Sequence, residues 1–141
     1  MTESNHQSNL SKKELDSLIA LYSTKNYEKA IKQIKVLNEQ YPNTPFLFNL
    51  IGACYKGLGQ IEASAKMFKA AVNLKENYAE AHKNLGISLK DLGRFESAEK
   101  SFIKAISINN SYEEAFYNLA ITQKESKKLN EAIQSYKKVI E

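Results

Sequence analysis

Three lysines recur at one interval: Lys56, Lys90 and Lys124 stand 34 residues apart. A row of ammonium groups on one surface attracts carboxylates. The same spacing also suits ordinary solvated lysines on amphipathic helices, and the sequence leaves both readings open. Asn84 and Asn118 repeat at the same interval, while Leu50 occupies the preceding position with Asn49 beside it. A side-chain amide both donates and accepts, so a pair of them can grip a peptide backbone of any sequence, or simply be hydrated. Ile19, Ile87 and Ile121 also fall in step, accompanied by Tyr22 and Tyr117. Apolar residues in line on a surface mark an interaction face more often than scattered ones do.

Residues suited to catalysis are sparse. Gly52 and Gly57 have the spacing of phosphate-loop glycines, but Leu58-Gly59 follows where Lys-Ser/Thr is required. The histidines are His6 and His82, far apart in sequence, and a metal site needs more ligands than that. Cys54 lies among apolar residues without an identifiable base or orienting group, and reads as a small core residue. Arg94 is the single arginine, whereas nucleic-acid binding calls for basic clusters interleaved with stacking aromatics. The expectation is a chain that binds and does not catalyse, with no cofactor, no metal and no nucleic acid.

Composition sets the frame for those residues. The chain has 141 residues, 43% of them apolar and 26% charged, with a net charge of +4. That balance predicts one soluble folded domain. Five glycines and two prolines leave long helices unobstructed almost everywhere. No apolar run approaches the roughly 18 residues that span a bilayer, so no membrane partner is expected. The opening MTESNHQSNL lacks the basic start and apolar stretch of a secretory signal, and is read as a disordered polar tail over residues 1–10. One cysteine excludes an internal disulfide framework and suits a reducing compartment, by default the cytoplasm.

The elements that carry the spaced residues are themselves repeated. KNYEKAIKQI from Lys25, GQIEASAKMF from Gly59, GRFESAEKSF from Gly93 and KKLNEAIQSY from Lys127 start at successive steps of 34. Ahead of the last three blocks come FNLIGACYKGL, HKNLGISLKDL and FYNLAITQKES, in the same step. Within each unit apolar residues recur at helical spacing, as in Leu85, Leu89 and Leu92, then Phe95, Ala98 and Phe102. A unit that is helix-like in both halves is a helical hairpin. Gly59 and Gly93 mark the hinge, where glycine takes the left-handed turn that ends a helix; Lys25 and Lys127 stand there in the outer units. Helix starts are signalled by Ser11 with Glu14, Thr44-Pro45, Asn77 with Glu80, and Ser111 with Glu114. Gly52, Gly86 and Ala120 in first helices, and Ala30, Ser64, Ala98 and Ala132 in second helices, let paired backbones approach closely.

This pattern resembles the tetratricopeptide repeat family over about residues 11–141. The second unit offers Phe48, Ile51-Gly52, Tyr55, Gly59, Phe68 and Ala71; the third offers His82, Leu85-Gly86, Leu89, Gly93, Ala98, Phe102 and Ala105. Ser64 departs from the family alanine, and the first unit has Ser17-Leu18 in place of Leu-Gly. The resemblance implies an all-α, right-handed solenoid of stacked antiparallel hairpins. It would contain about four repeats and eight helices, bounded at about 11–44, 45–78, 79–112 and 113–141. It also implies that first helices line a concave groove for an extended peptide or partner segment. Carried over by register, the groove residues are Asn49 and Lys56, then Lys83, Asn84, Ile87 and Lys90, then Tyr117, Asn118, Ile121 and Lys124. The carboxylate clamp of chaperone-binding members does not carry over. Its opening pair falls on Leu15 and Ile19 or on Asn49 and Ala53, and its third repeat on Glu80 and Asn84 or Glu114 and Asn118.

Charge on the second helices follows an exposed-face pattern, with Glu28–Lys32, Glu62–Lys66 and Glu96–Lys100 as i,i+4 pairs. The fourth unit carries Leu129, Ala132, Ile133, Tyr136, Val139 and Ile140 with no polar capping helix after it. A repeat leaves an apolar face for its successor. That face predicts either further chain or self-association through the last repeat. Similar arrays precede bacterial transferase or oxygenase domains, so the resemblance also admits a targeting or structural arm of a larger enzyme.

Overall fold

The computed structural model describes residues 10–140. The expected tail therefore lies outside the described residues, except Leu10. That residue is buried with Leu18 and Leu47 in the core.

Among the described residues seven helices follow one another: α1 (Lys12–Ser23), α2 (Tyr27–Gln40), α3 (Pro45–Gly57), α4 (Ile61–Leu74), α5 (Ala79–Asp91), α6 (Phe95–Ile108) and α7 (Glu113–Ile140). Three hairpins form as the repeat requires. Their hinges share one hydrogen-bonded turn, with Lys25 at φ 62° and Gly59 and Gly93 at φ 77°. The amide after each hinge residue reaches back to the helix: Asn26 to Leu21, Gln60 to Tyr55 and Arg94 to Leu89, at 2.8, 2.9 and 2.9 Å. Lys25 tolerates the left-handed conformation because α2 is held in place by buried Ala30, Ile31, Ile34 and Leu37.

The expected eighth helix is absent among the described residues, because Lys127 does not turn. The fourth unit is one straight helix of 28 residues. Folding back would place a lysine in the left-handed region at about 1–2 kcal/mol. It would also bring Tyr136 onto Ala120, where the second and third repeats have glycine. The helix runs on instead, with residues 127–138 exposed.

Capping was partly legible. Ser11 and Glu14 form the reciprocal box, at 3.0 and 3.3 Å, and Pro45 opens α3. The boxes expected at Asn77/Glu80 and Ser111/Glu114 do not form. Tyr78 is the residue ahead of α5 and has no side-chain cap bond, while the Ser111 amide donates to Asn109. Both glutamates are free to point elsewhere, and Glu114 pairs with Lys83 at 3.2 Å.

Phe68 and Phe102 are fully buried and lie on Gly52 and Gly86. Each such ring contributes on the order of 1.5–3 kcal/mol of burial. Cys54, Ser88 and Thr122, one per repeat, are completely inaccessible. The departure at Ser64 is explained by this layer, because its hydroxyl lies 2.9 Å from that of Ser88 and donates to the Ile61 carbonyl at 2.7 Å. Helices pack on their sequence neighbours, and the odd-numbered ones also touch each other, α3 with α5 and α5 with α7. No comparable contact joins α2 to α4 or α4 to α6. Contact between alternate helices therefore lies on the odd-numbered side, from α3 to α7.

Candidate functional site

A cavity of about 480 Å³ lies on the odd-numbered side, lined by α3 and α5 with single contributions from α1, α2, α4 and α7. Its walls differ in character. Tyr22, Tyr27, Phe46, Leu50 and Ala53 make one end apolar, while Asn49, Asn84, Lys56, Lys83, Glu80 and Glu114 supply polar groups. Tyr22 and Tyr27 meet edge to face with ring centroids 5.8 Å apart. Tyr27 enters from the start of α2, at a position where first-helix register alone does not point. The signal for it is Gly57, whose missing Cβ leaves the room that the Tyr27 ring fills.

The polar wall has an internal order. The Asn84 amide donates to the Asn49 carbonyl oxygen at 3.1 Å, joining α5 to α3. Asn49 is buried. Burial, then the nearby Glu80 carboxylate, pushes the Tyr78 hydroxyl up to about 12, with the Asn49 side chain working against them. Tyr112 is likewise pushed to about 12 by burial, Glu80 and Glu114. Lys83 is buried, pairs with Glu114, and stands 5.9 Å from the Tyr112 ring centre. Lys90 donates to Asn118 at 3.3 Å and lies 3.8 Å from Asp91.

Lys56 differs from its neighbours: it lines the cavity, half-buried, without an ion pair or hydrogen bond among the described residues. Burial holds its pKa below the usual lysine value. Asp91 opposes that shift, while Lys83 and Lys90 add to it.

The ten residues picked by register thus divide. Asn49, Lys56, Lys83, Asn84 and Ile87 line the cavity. Lys90, in the last turn of α5, is not among the lining residues. Asn118 is 8% exposed and its amide donates to the Glu114 carbonyl at 2.8 Å, so its hydrogen-bonding capacity is largely used within the fold. Tyr117 and Lys124 are exposed on α7 and Ile121 is partly buried, all beyond the cavity. The lysine ladder of equal rungs becomes three distinct environments: unpaired and half-buried at Lys56, internally bonded at Lys90, solvated at Lys124.

Elsewhere, burial pushes the Cys54 thiol up to about 11, so it is protonated at neutral pH. No group of three His, Cys, Asp or Glu that could hold a metal ion occurs among the described residues. No helix among them is long and apolar enough to cross a membrane. Of the three expected i,i+4 pairs, Glu96–Lys100 forms at 3.8 Å. Glu62 instead takes the Arg94 guanidinium of the next repeat, at 3.1 and 3.2 Å. One guanidinium nitrogen, Nη2, reaches both carboxylate oxygens, and Lys66 has no ion pair among the described residues.

Comparison with known proteins points the same way as the geometry. A sequence model described as Tetratricopeptide repeat matches residues 79–112, and a second of the same description matches 47–78 and 113–141. Among curated proteins none matches this chain. Solved structures with the same fold include the Sgt2 TPR domain from Aspergillus fumigatus, with a TM-score of 0.80 at 22% identity over 84% of this chain and 80% of that one. The second TPR domain of human RPAP3, in complex with the HSP70 peptide SGPTIEEVD, has a TM-score of 0.74 at 19% identity over 78% and 92%. MamA has a TM-score of 0.73 at 24% identity over 86% and 71%.

Proposed function

Because the chain belongs to the tetratricopeptide repeat family, we propose that it is a protein-interaction scaffold holding an extended partner segment across its odd-numbered side. The observation that carries this reading is the cavity on the odd-numbered helices. It combines an apolar end with paired amides and a lysine that has no ion pair or hydrogen bond among the described residues. Extended peptides need both kinds of wall: pockets for side chains, and donors and acceptors for the backbone. The likeness to domains bound to HSP70 and HSP90 peptides supports a peptide as the kind of ligand. The role is binding and not catalysis, in keeping with a protonated, inaccessible Cys54 and the lack of an activated nucleophile beside it.

The test is to select binders from a random peptide library and compare the parent chain with an Asn49→Ala, Asn84→Ala variant whose fold is verified by circular dichroism. Loss of most binding is expected. Equal recovery by both proteins would contradict the groove as the site.

A second contact is favoured by a separate observation. The outer half of α7 exposes Leu129, Ile133, Tyr136 and Ile140, at 47, 42, 71 and 85%. These residues share one face at helical spacing. Self-association through this strip follows, and Ile133→Lys abolishes it. Sedimentation velocity checks this, and a concentration-independent monomer for the parent chain would remove the idea.

A further inference from the structure

Resting on the groove reading above, we infer that Lys56 recognises a side-chain carboxylate, from Asp or Glu, within an extended segment that continues past it in both directions. The cation is spare. Lys83 has Glu114 and Lys90 has Asp91 and Asn118, whereas Lys56 has no ionic partner among the described residues. A half-buried ammonium has lost part of its hydration, which the Asp91 and Glu114 carboxylates offset only in part, and a carboxylate placed against it restores what burial removed. The depressed proton affinity of Lys56 agrees with that, and a bound carboxylate reverses the shift.

The position of Lys56 decides which carboxylate. It sits in the last turn of α3, in the middle of the odd-numbered row. On one side the apolar end, Tyr22 with Phe46 and Leu50, offers room for a bulky side chain. On the other side α5 and α7 follow, ending in the exposed Tyr117 ring. A chain lying across the row has surface beneath it both before and after Lys56. A terminal carboxylate would leave one of those surfaces bare, whereas a side-chain carboxylate uses both. Lysine also provides a single point of charge where arginine would provide a fork. One acidic residue therefore answers it, with an apolar residue a short distance away on the Tyr22 side.

The experiment uses random decapeptides displayed between two flanking linkers, so that no chain terminus is available. Selection on the full chain is expected to enrich Asp or Glu at one fixed position with an aromatic or aliphatic residue nearby. An acetylated, amidated peptide from that pool should bind on the order of ten- to a hundredfold more weakly when its acid becomes the amide, Glu to Gln. Lys56→Met removes that difference while leaving the weaker, apolar part of binding; Lys124→Met leaves the difference intact. Enriched peptides without a fixed acid, or an acid preference that survives Lys56→Met, would overturn the assignment while leaving the groove reading standing. Binders unaffected by the Asn49, Asn84 double variant would instead sink the groove reading, and this inference with it.

Discussion

Gly86 lies under the Phe102 ring at a distance that no side chain can share. A Cβ built there would stand 2.6 Å from the ring, and the ring is fully inaccessible and cannot swing away. Gly86→Ala is expected to destabilise the fold by about 1–3 kcal/mol, the range for overpacking a tight contact. Thermal or urea unfolding checks it, and an unchanged midpoint would disprove the contact. His82 carries a different signature. Its ring nitrogen lies 2.8 Å from the Glu76 carbonyl oxygen. Burial, with Lys104 adding to it, holds its pKa below 6.5 although the carbonyl bond pulls the other way. A group with a depressed folded pKa binds fewer protons when folded than when unfolded. Its stabilisation is therefore present above the unfolded value of about 6.5 and is lost as pH falls below it. The melting temperature should drop between pH 7 and pH 5.5 by more in the parent than in His82→Gln; parallel profiles would contradict the assignment. At this scale the sequence exposed small residues and bulky partners in register. It did not reveal which polar residues would satisfy one another, because Asn118, Lys90 and Glu114 find their partners across helices that only the stack brings together.

Three hinges share one turn, and their residues differ in fitness for it. Gly93 takes φ 77° with open space around its missing Cβ, so the cost of Gly93→Ala is conformational and not steric. About 1–2 kcal/mol is expected, measured by chemical unfolding; no change would mean that the turn relaxes. The helices, the Ser11 box and the Gly59 and Gly93 hinges were readable from periodicity and turn chemistry. Lys127 was not, because a lysine hinge is an outcome of tertiary support: Lys25 has it and Lys127 lacks it. The straight α7 has a measurable consequence. Amides of residues 113–126 lie where α7 packs on α6, with Ala115, Asn118 and Thr122 buried. Those of 127–138 belong to a run in which every residue is exposed. Hydrogen exchange should be slow in the first half and fast in the second. Uniform protection along α7 would require the outer half to be covered.

At the scale of the whole molecule, each hairpin leaves an apolar face that its neighbour buries, and contact between alternate helices lies on the odd-numbered side. The 34-residue step made this architecture legible before any coordinate, since a repeat that cannot shield itself must stack. Of the residues that register picks, Asn49, Lys56, Lys83, Asn84 and Ile87 line the cavity and those on α7 do not. Tyr27 also lines it from a second helix, where first-helix register does not look. The central claim is that the odd-numbered helices form the surface a partner segment lies on. The most direct measurement attaches a nitroxide to a library-selected peptide and records paramagnetic broadening of the backbone amides. Broadening is expected along α1, α3 and α5 with α2, α4 and α6 spared; broadening centred on the even-numbered helices, or on the outer half of α7 alone, would rule this surface out.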